Sequence, residues 1–349
     1  MDEVVMDFRT LADLWYEQNT IGLGYIYTNS LRSFINHANT YFGSKDITEV
    51  SPLDISKLIT TMAKKNPHTK RPTSKSTLEE LSHTLKRIFE MAVDNDWINK
   101  NPAKNAKKFI PKNAPKKEVG AISKEEQLAI INTPHRFQTA AMIMMLTGLR
   151  RGEIIALLWN DVDLENKLIF VHRHASEIGA NSFSIGEGTK NGRNRYVNIP
   201  DSLCEFLKEK NNEAISPYVF PQKNGNPQTP SSWKSAWNSY INELNFAAYC
   251  KKDPLASKFD PKGYPKTIHI NSHQLRHTYA TLLYLSGTDV VTASKLMGHS
   301  SVQMTVDIYT DLDEKFKQYD ISNFNNYLAD ELCKDFCNNS DVDDKSNKK

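Results

Sequence analysis

The chain has 349 residues, 39% of them hydrophobic and 24% charged, and its 44 basic side chains against 41 acidic ones leave a net charge of +3. This length predicts two domains or one large decorated one, and the composition supports ordinary globular cores. No run is apolar for long enough to cross a bilayer, and a charge so close to balance makes its distribution, rather than its total, informative about partners.

The first ten residues, MDEVVMDFRT, hold neither a basic nor an apolar leader, so no secretory signal is expected. Cys204, Cys250, Cys333 and Cys337 are too few and too scattered for a disulfide framework, and the expectation is reduced thiols in a cytoplasmic protein. Residues 1–103 read as a small helical domain without strands. Helices are expected over 7–18, 25–42 and 53–65, with Asp54 and Thr73 at or near caps. The last helix is the clearest: Leu78, Leu81, Leu85, Ile88, Phe89 and Ala92 repeat at steps of three and four, while Lys86 and Arg87 face away. A basic knot, KKNPHTKR over residues 64–71, includes Lys70 and Arg71.

From Lys100 to Lys117 the chain reads KNPAKNAKKFIPKNAPKK, seven lysines and no acid. Pro102, Pro111 and Pro115 argue against continuous helix, which makes 104–120 a linker and the best domain boundary. Lys104, Lys107, Lys108 and Lys112, with Lys70 and Arg71, suit a phosphate backbone; a solvated, flexible connector is the plainer reading of the same lysines.

A second domain, 121–328, opens at the capping box Ser123-Lys-Glu-Glu126 and a helix to about Ile131. The pattern is helical again over 136–158, broken at Thr147-Gly148. Then the period changes. KLIFVHRH (167–174) is strand-like, and Phe183–Ile185 and Arg195–Ile199 flank Asn191-Gly192, the strongest short hairpin signal. A small antiparallel sheet is therefore expected inside a helical domain. Further helices are expected near 201–210, 231–244, 272–286, 289–297 and 313–328, with 246–266 an inserted loop and 329–349 a polar, disordered tail.

Four stretches carry candidate chemistry. In SHQLRHTYAT (272–281), Asn271 or Ser272 caps a helix whose first face holds His273, Arg276 and His277 at i, i+3 and i+4. A metal site is one reading, but Gln274 stands where the zinc-protease pattern has Glu, and Arg276 would repel a cation. A polar helix start is the second. An anion site built from helix N-terminus, guanidinium and imidazole is the third. In MLTGLRRGEIIALLW (145–159), Arg150 and Arg151 follow the break, and Glu153 is within reach to orient Arg150. Lys190 immediately precedes Asn191-Gly192, where a lysine is ordinarily just solvated. KLMGHSSVQMTVDIYTDL (295–312) holds His299 and, ten residues on, Tyr309.

Together, TGLRRGE, Thr189-Lys190 before a turn, HQLRHTYAT, LMGHSS and the tyrosine ten residues past that histidine resemble the tyrosine recombinases, the phage-integrase family, in the family's order over about residues 6 to 327. The resemblance implies a mainly helical protein. A helical core-binding domain and a mostly helical catalytic domain with a small antiparallel β-sheet, the DNA breaking-rejoining fold, would clamp duplex DNA, with the basic linker crossing its backbone. It puts the family's first arginine on Arg150, the acidic position on Glu153 and the hairpin lysine on Lys190. The His-x-x-Arg motif falls on His273 and Arg276, the later histidine on His299 and the nucleophile on Tyr309. Arg151 and His277 are neighbours of motif positions.

The implied activity is site-specific recombination by an integrase of a phage or other mobile element, needing no cofactor and no metal. Tyr309 would form a 3′-phosphotyrosyl link and release a 5′-hydroxyl, and because the link conserves the phosphoester, rejoining needs no ATP. Arg150, Arg276 and His299 would stabilise the transition-state charge, His273 would take the tyrosine proton, and Lys190 would protonate the leaving oxygen. The implied partners are a double-stranded DNA recombination site, further copies in a tetramer on that DNA, and a directionality or bending factor; no membrane is implied. The helical domain begins near residue 1, so the arm-binding module of many integrases is expected to be absent. Two other functions suit these residues, a type IB-like topoisomerase and a non-enzymatic DNA-binding regulator. Helix 313–328, with Phe316, Ile321, Phe324, Tyr327 and Leu328, is expected to pack on its own domain or on a neighbouring protomer.

Overall fold

The computed structural model describes residues 6–116, 120–188, 194–253, 257–258 and 263–316. The chain divides into two compact units, Met1–Thr278 and Tyr279–Lys349, and the first holds two separate apolar cores.

Four helices build one of these cores: α1 (Phe8–Asn19), α2 (Tyr25–Phe42), α3 (Pro52–Lys64) and α4 (Lys75–Asp94). Side chains that satisfy orphan amides fix three of the starts. Asp7 accepts from the Thr10 amide at 2.8 Å, Ser51 and Asp54 form a reciprocal capping box ahead of Pro52, and Ser74 caps α4. Asp54 is thus the acid inside the first turn, and Ser74 rather than Thr73 is the cap. Leu78, Leu81, Leu85, Ile88, Phe89 and Ala92 are fully buried, each of the larger ones contributing about 1.5–3 kcal/mol. The Phe8 ring lies edge-on to Phe42 at 4.7 Å and 5.3 Å from Phe89.

The lysine-rich stretch joins this core. Ala103, Ala106 and Ala114 are buried in it, a 3₁₀ turn over Ala106–Phe109 packs on α3 and α4, and the Lys75 amide donates to the Pro115 carbonyl at 2.8 Å. With the small side chains turned inward, Lys104, Lys107, Lys108 and Lys112 are exposed, and Lys107 meets Glu79 at 3.3 Å.

The other core gathers α5 (Lys124–Asn132), α6 (Gln138–Thr147), α7 (Arg151–Ala156), five short strands, α8 (Asp201–Asn212), α9 (Pro230–Cys250) and the start of α10 (Ser272–Leu285). The strands are β1 (Val162–Asp163), β2 (Leu168–Val171), β3 (Arg173–Gly179), β4 (Ser182–Glu187) and β5 (Arg195–Asn198). They form two antiparallel sheets, β1–β2–β5 and β3–β4. The single strand expected at 167–174 is cut at His172. Adjacent residues of a regular strand point to opposite faces, yet His172 and Arg173 both reach the Asp161 carboxylate, at 2.9 and 2.5 Å, and the ladder breaks there. Phe183–Ile185 and Arg195–Ile199 consequently do not pair as the hairpin expected around Asn191-Gly192. Val171 faces Arg195, whereas His174 faces Gly186 in a hairpin that turns at Ala180-Asn181. Asn191-Gly192 itself lies outside the described residues.

Helix α9 runs six residues beyond its expected end. Asn245 exchanges hydrogen bonds with Ile268 at 3.0 and 2.8 Å, and Phe246 and Tyr249 pack on Tyr264, so the supposed loop 246–266 begins as helix and returns along it. In the second unit, α11 (Val290–Met297) and α12 (Gln303–Phe316) pack with Tyr279 and Ala280 around Met297. Helix α12 starts ten residues before the helix expected at 313–328; the remainder of that helix and the 329–349 tail, with Cys333 and Cys337, lie outside the described residues. Among the described residues no helix is long and apolar enough to cross a membrane.

Helix α7 approaches β3 so closely that a Cβ on Gly152 would sit 2.5 Å from the Ala175 carbonyl oxygen. Gly152→Ala is expected to destabilise the protein by about 1–3 kcal/mol, read as a lower denaturant midpoint at unchanged slope. An unchanged midpoint would mean that β3 yields instead.

Candidate active site

The break expected at Thr147-Gly148 is a helix end. Thr147 is buried and donates to the Ile143 carbonyl at 2.6 Å, and Gly148 adopts a left-handed φ of +67° as its amide caps Met144 at 3.0 Å. The turn presents the Gly148 carbonyl to Arg276, whose Nη1 donates to it and whose side chain is buried. Two residues on, Arg150 stands in extended geometry at the N-cap of α7. Its amide donates to Glu153 Oε2 at 2.9 Å and its Nη1 to Oε1 at 3.1 Å.

Glu153 is only 3% exposed. An ionised carboxylate so deep needs charged partners, and β5 supplies one: Arg195 donates to Oε1 at 2.9 Å and to Oε2 at 2.8 Å. Burial pushes the Glu153 carboxyl up, but Arg195, the Arg150 amide and the Arg150 charge outweigh it and hold the group below its ordinary value. Sequence reasoning missed Arg195. Its signal was a cation in the inward register of a strand, two residues before the buried Val197.

Helix α10 starts on Asn271, whose Oδ1 accepts from the His273 and Gln274 amides at 3.0 and 3.1 Å while Gln274 Oε1 accepts from the Asn271 amide at 2.9 Å. This sets His273 outward, exposed, and Arg276 inward one turn later. Arg150, Glu153, His273 and Arg276 all line a cleft of about 790 Å³, together with His174 of β3 and Tyr27 of α2. Arg151, beside the motif, pairs with Glu177 at 2.6 Å.

His277, the other neighbour, contacts the His273 ring edge-on at 5.0 Å. Burial above all, then the charges of His273 and Arg276, depress its pKa from 6.5 to about 4. Because the unfolded imidazole protonates first, His277 adds stability that is full above 6.5 and is lost as pH falls from 6.5 towards about 4. The denaturation midpoint is expected to drop across that window, and His277→Asn to flatten the drop. An imidazole resonance of His277 titrating near 6.5 would overturn this.

In the second unit, Gly298 ends α11 in a left-handed turn, φ +62°. His299 then bonds through Nδ1 to the hydroxyl of Thr305, 2.7 Å away and fully buried. One helical turn past Thr305 on α12, the Tyr309 hydroxyl donates to the Thr288 carbonyl at 3.1 Å, and its ring stands edge-on to Tyr284 at 5.2 Å. Burial first, then Asp289 and Tyr279, push the phenol pKa up to about 12.

Lys190 lies outside the described residues. Lys70 and Arg71 are exposed on a loop organised by Asn66, whose Oδ1 accepts from the His68 and Thr69 amides at 2.9 and 3.3 Å and whose carbonyl accepts from the Lys70 amide at 2.9 Å. Lys70 holds a left-handed φ of +58° there.

The profile of the phage integrase family matches residues 112–315. The tyrosine recombinase XerC-like protein of Caldanaerobacter subterraneus subsp. tengcongensis is 30% identical over 275 residues, covering 72% of this chain and 66% of that one, so the chain spans just under two-thirds of that relative. The ICEBs1 integrase of Bacillus subtilis is 26% identical over 326 residues, covering 87% and 78%. A solved structure of the Tn1549 transposon integrase in complex with a circular intermediate DNA superposes with a TM-score of 0.69 at 20% identity, covering 87% of this chain and 95% of that one. The mainly helical architecture with its small antiparallel strands is therefore the integrase fold.

Proposed function

This chain belongs to the phage integrase family, the tyrosine recombinases that cleave and rejoin DNA, and from that premise we propose that it is a site-specific recombinase serving the integration or excision of a mobile element. The observation that carries the reading is the cleft that holds Arg150 and Arg276 together, with Glu153 behind the first and His273 beside the second. Two fixed guanidiniums suit the non-bridging oxygens of a phosphodiester, whose charge concentrates in the pentacoordinate transition state.

In the proposed reaction the Tyr309 oxygen attacks the scissile phosphorus, the bond to the 5′-oxygen breaks, and a 3′-phosphotyrosyl link remains. His273 accepts the phenolic proton, His299 donates to a phosphoryl oxygen, and Lys190 supplies the proton that leaves with the 5′-hydroxyl. A phenol with a pKa of about 12 is a poor nucleophile at neutral pH, so the arginines must lower the cost of its anion once the phosphate is bound. Attack by a 5′-hydroxyl from a second strand reverses the step and completes the exchange.

The division we propose is a core-binding domain over 1–103, a linker over 104–120 whose Ala106 and Ala114 are packed into the core of that domain, a catalytic domain over 121–328 and a tail over 329–349. Lys104, Lys107, Lys108, Lys112, Lys70 and Arg71 would meet phosphates of the duplex. The active species would be a tetramer on paired recombination sites in the cytoplasm, assisted by a directionality or bending factor. The test is covalent capture on nicked duplexes of randomised sequence, followed by sequencing of the DNA retained after denaturation. An adduct enriched in an inverted repeat is expected. Specific retention without an adduct would favour a regulator, and an adduct without strand exchange between paired sites would favour a topoisomerase.

A further inference from the structure

Glu153 receives four hydrogen bonds from two arginines that are not equivalent. Arg195 meets both oxygens as a planar fork at 2.9 and 2.8 Å, with a side chain 10% exposed, while Arg150 reaches one oxygen through Nη1 at 3.1 Å, with a side chain 25% exposed. The inner guanidinium therefore fixes the carboxylate, and the outer one, on the cleft wall, takes its direction from it.

We propose that Arg195 is a positioning residue for DNA cleavage, clamping Glu153 so that the carboxylate aims the Arg150 guanidinium at the scissile phosphate. The inference rests on the reading of Arg150 as a phosphate-binding residue. Without Arg195, the buried carboxylate would draw its nearest remaining cation, Arg150, into the fork and away from the phosphate. A role confined to charge compensation predicts something different, because a lysine would then serve as well.

Arg195→Lys separates the two. Its melting midpoint and affinity for cognate duplex are expected to stay near wild type, within about 3-fold for affinity, while single-turnover cleavage at saturating protein slows by about 100-fold. On a duplex whose scissile phosphate is replaced by a neutral methylphosphonate, the deficit should shrink to within about 3-fold, since one non-bridging charge is gone and the transition state asks less of Arg150. Wild-type cleavage by Arg195→Lys, or a deficit undiminished on methylphosphonate, overturns the proposal. Should the lysine variant fold poorly, Glu153→Gln with Arg195→Met removes both buried charges together. That pair is expected to melt near wild type yet cleave as slowly, and wild-type cleavage by it also overturns the proposal. Wild type and Tyr309→Phe are run alongside. An adduct absent from wild type takes the recombinase premise down together with this inference, whereas a Tyr309-dependent adduct with full Arg195→Lys activity rejects this inference alone.

Discussion

Tyr309→Phe is expected to eliminate covalent capture of DNA while leaving affinity for the duplex within about 2-fold of wild type, because affinity is spread over many phosphate contacts. The change deletes one oxygen. The ring keeps its edge-on packing against Tyr284, and the lost hydrogen bond to the Thr288 carbonyl removes about 0.5–1.5 kcal/mol, too little to unfold the unit. Filter retention before denaturation reports affinity and retention after it reports the adduct, so one experiment separates the two quantities. Residual adduct in the phenylalanine variant would mean that another side chain attacks. A parallel loss of affinity would mean that Tyr309 contributes to DNA binding, and the missing adduct would then no longer identify it as the nucleophile.

Arg276 should show the next largest effect. Removing one preorganised donor from a developing oxyanion slows a reaction by about 10²–10³, and Arg276 would bring a full charge as well, so Arg276→Ala is expected to cleave about 10³-fold more slowly. Arg276→Lys keeps the charge but loses the planar fork and should recover about tenfold of that loss. Arg276 is 4% exposed and donates to the Gly148 carbonyl, so melting must be measured beside the rate; truncation there is expected to lower stability by about 1–3 kcal/mol. A lysine variant that cleaves within threefold of wild type would reduce Arg276 to a point charge.

Much of the helical framework could be read from local rules. The limits of α2 were expected at 25–42 and fall there, and the capping box at Ser123-Glu126 opens α5, because caps and periodic apolar stripes are decided within a few residues. The break ahead of Arg150 at Gly148 and the cap ahead of Arg276 at Asn271 were legible too, as local features of the sequence. What escaped depends on distant partners. The division of the strands into two sheets hinges on Asp161 drawing in His172 and Arg173. Arg195 gains its meaning only from Glu153, 42 residues earlier. The hydrogen bond from Tyr309 to Thr288 spans 21 residues and cannot be inferred from the helical pattern around either.

The alanines of the lysine-rich stretch bear on protein engineering. A chimera that joins the helical half of one relative to the second half of another needs a junction, and Pro102 invites one there. Cutting there would strip Ala103, Ala106 and Ala114 out of the core they fill and remove the Pro115 carbonyl from the Lys75 amide. The donor half would arrive with an open seam. A junction placed after Lys116 carries the plug along with the piece it seals.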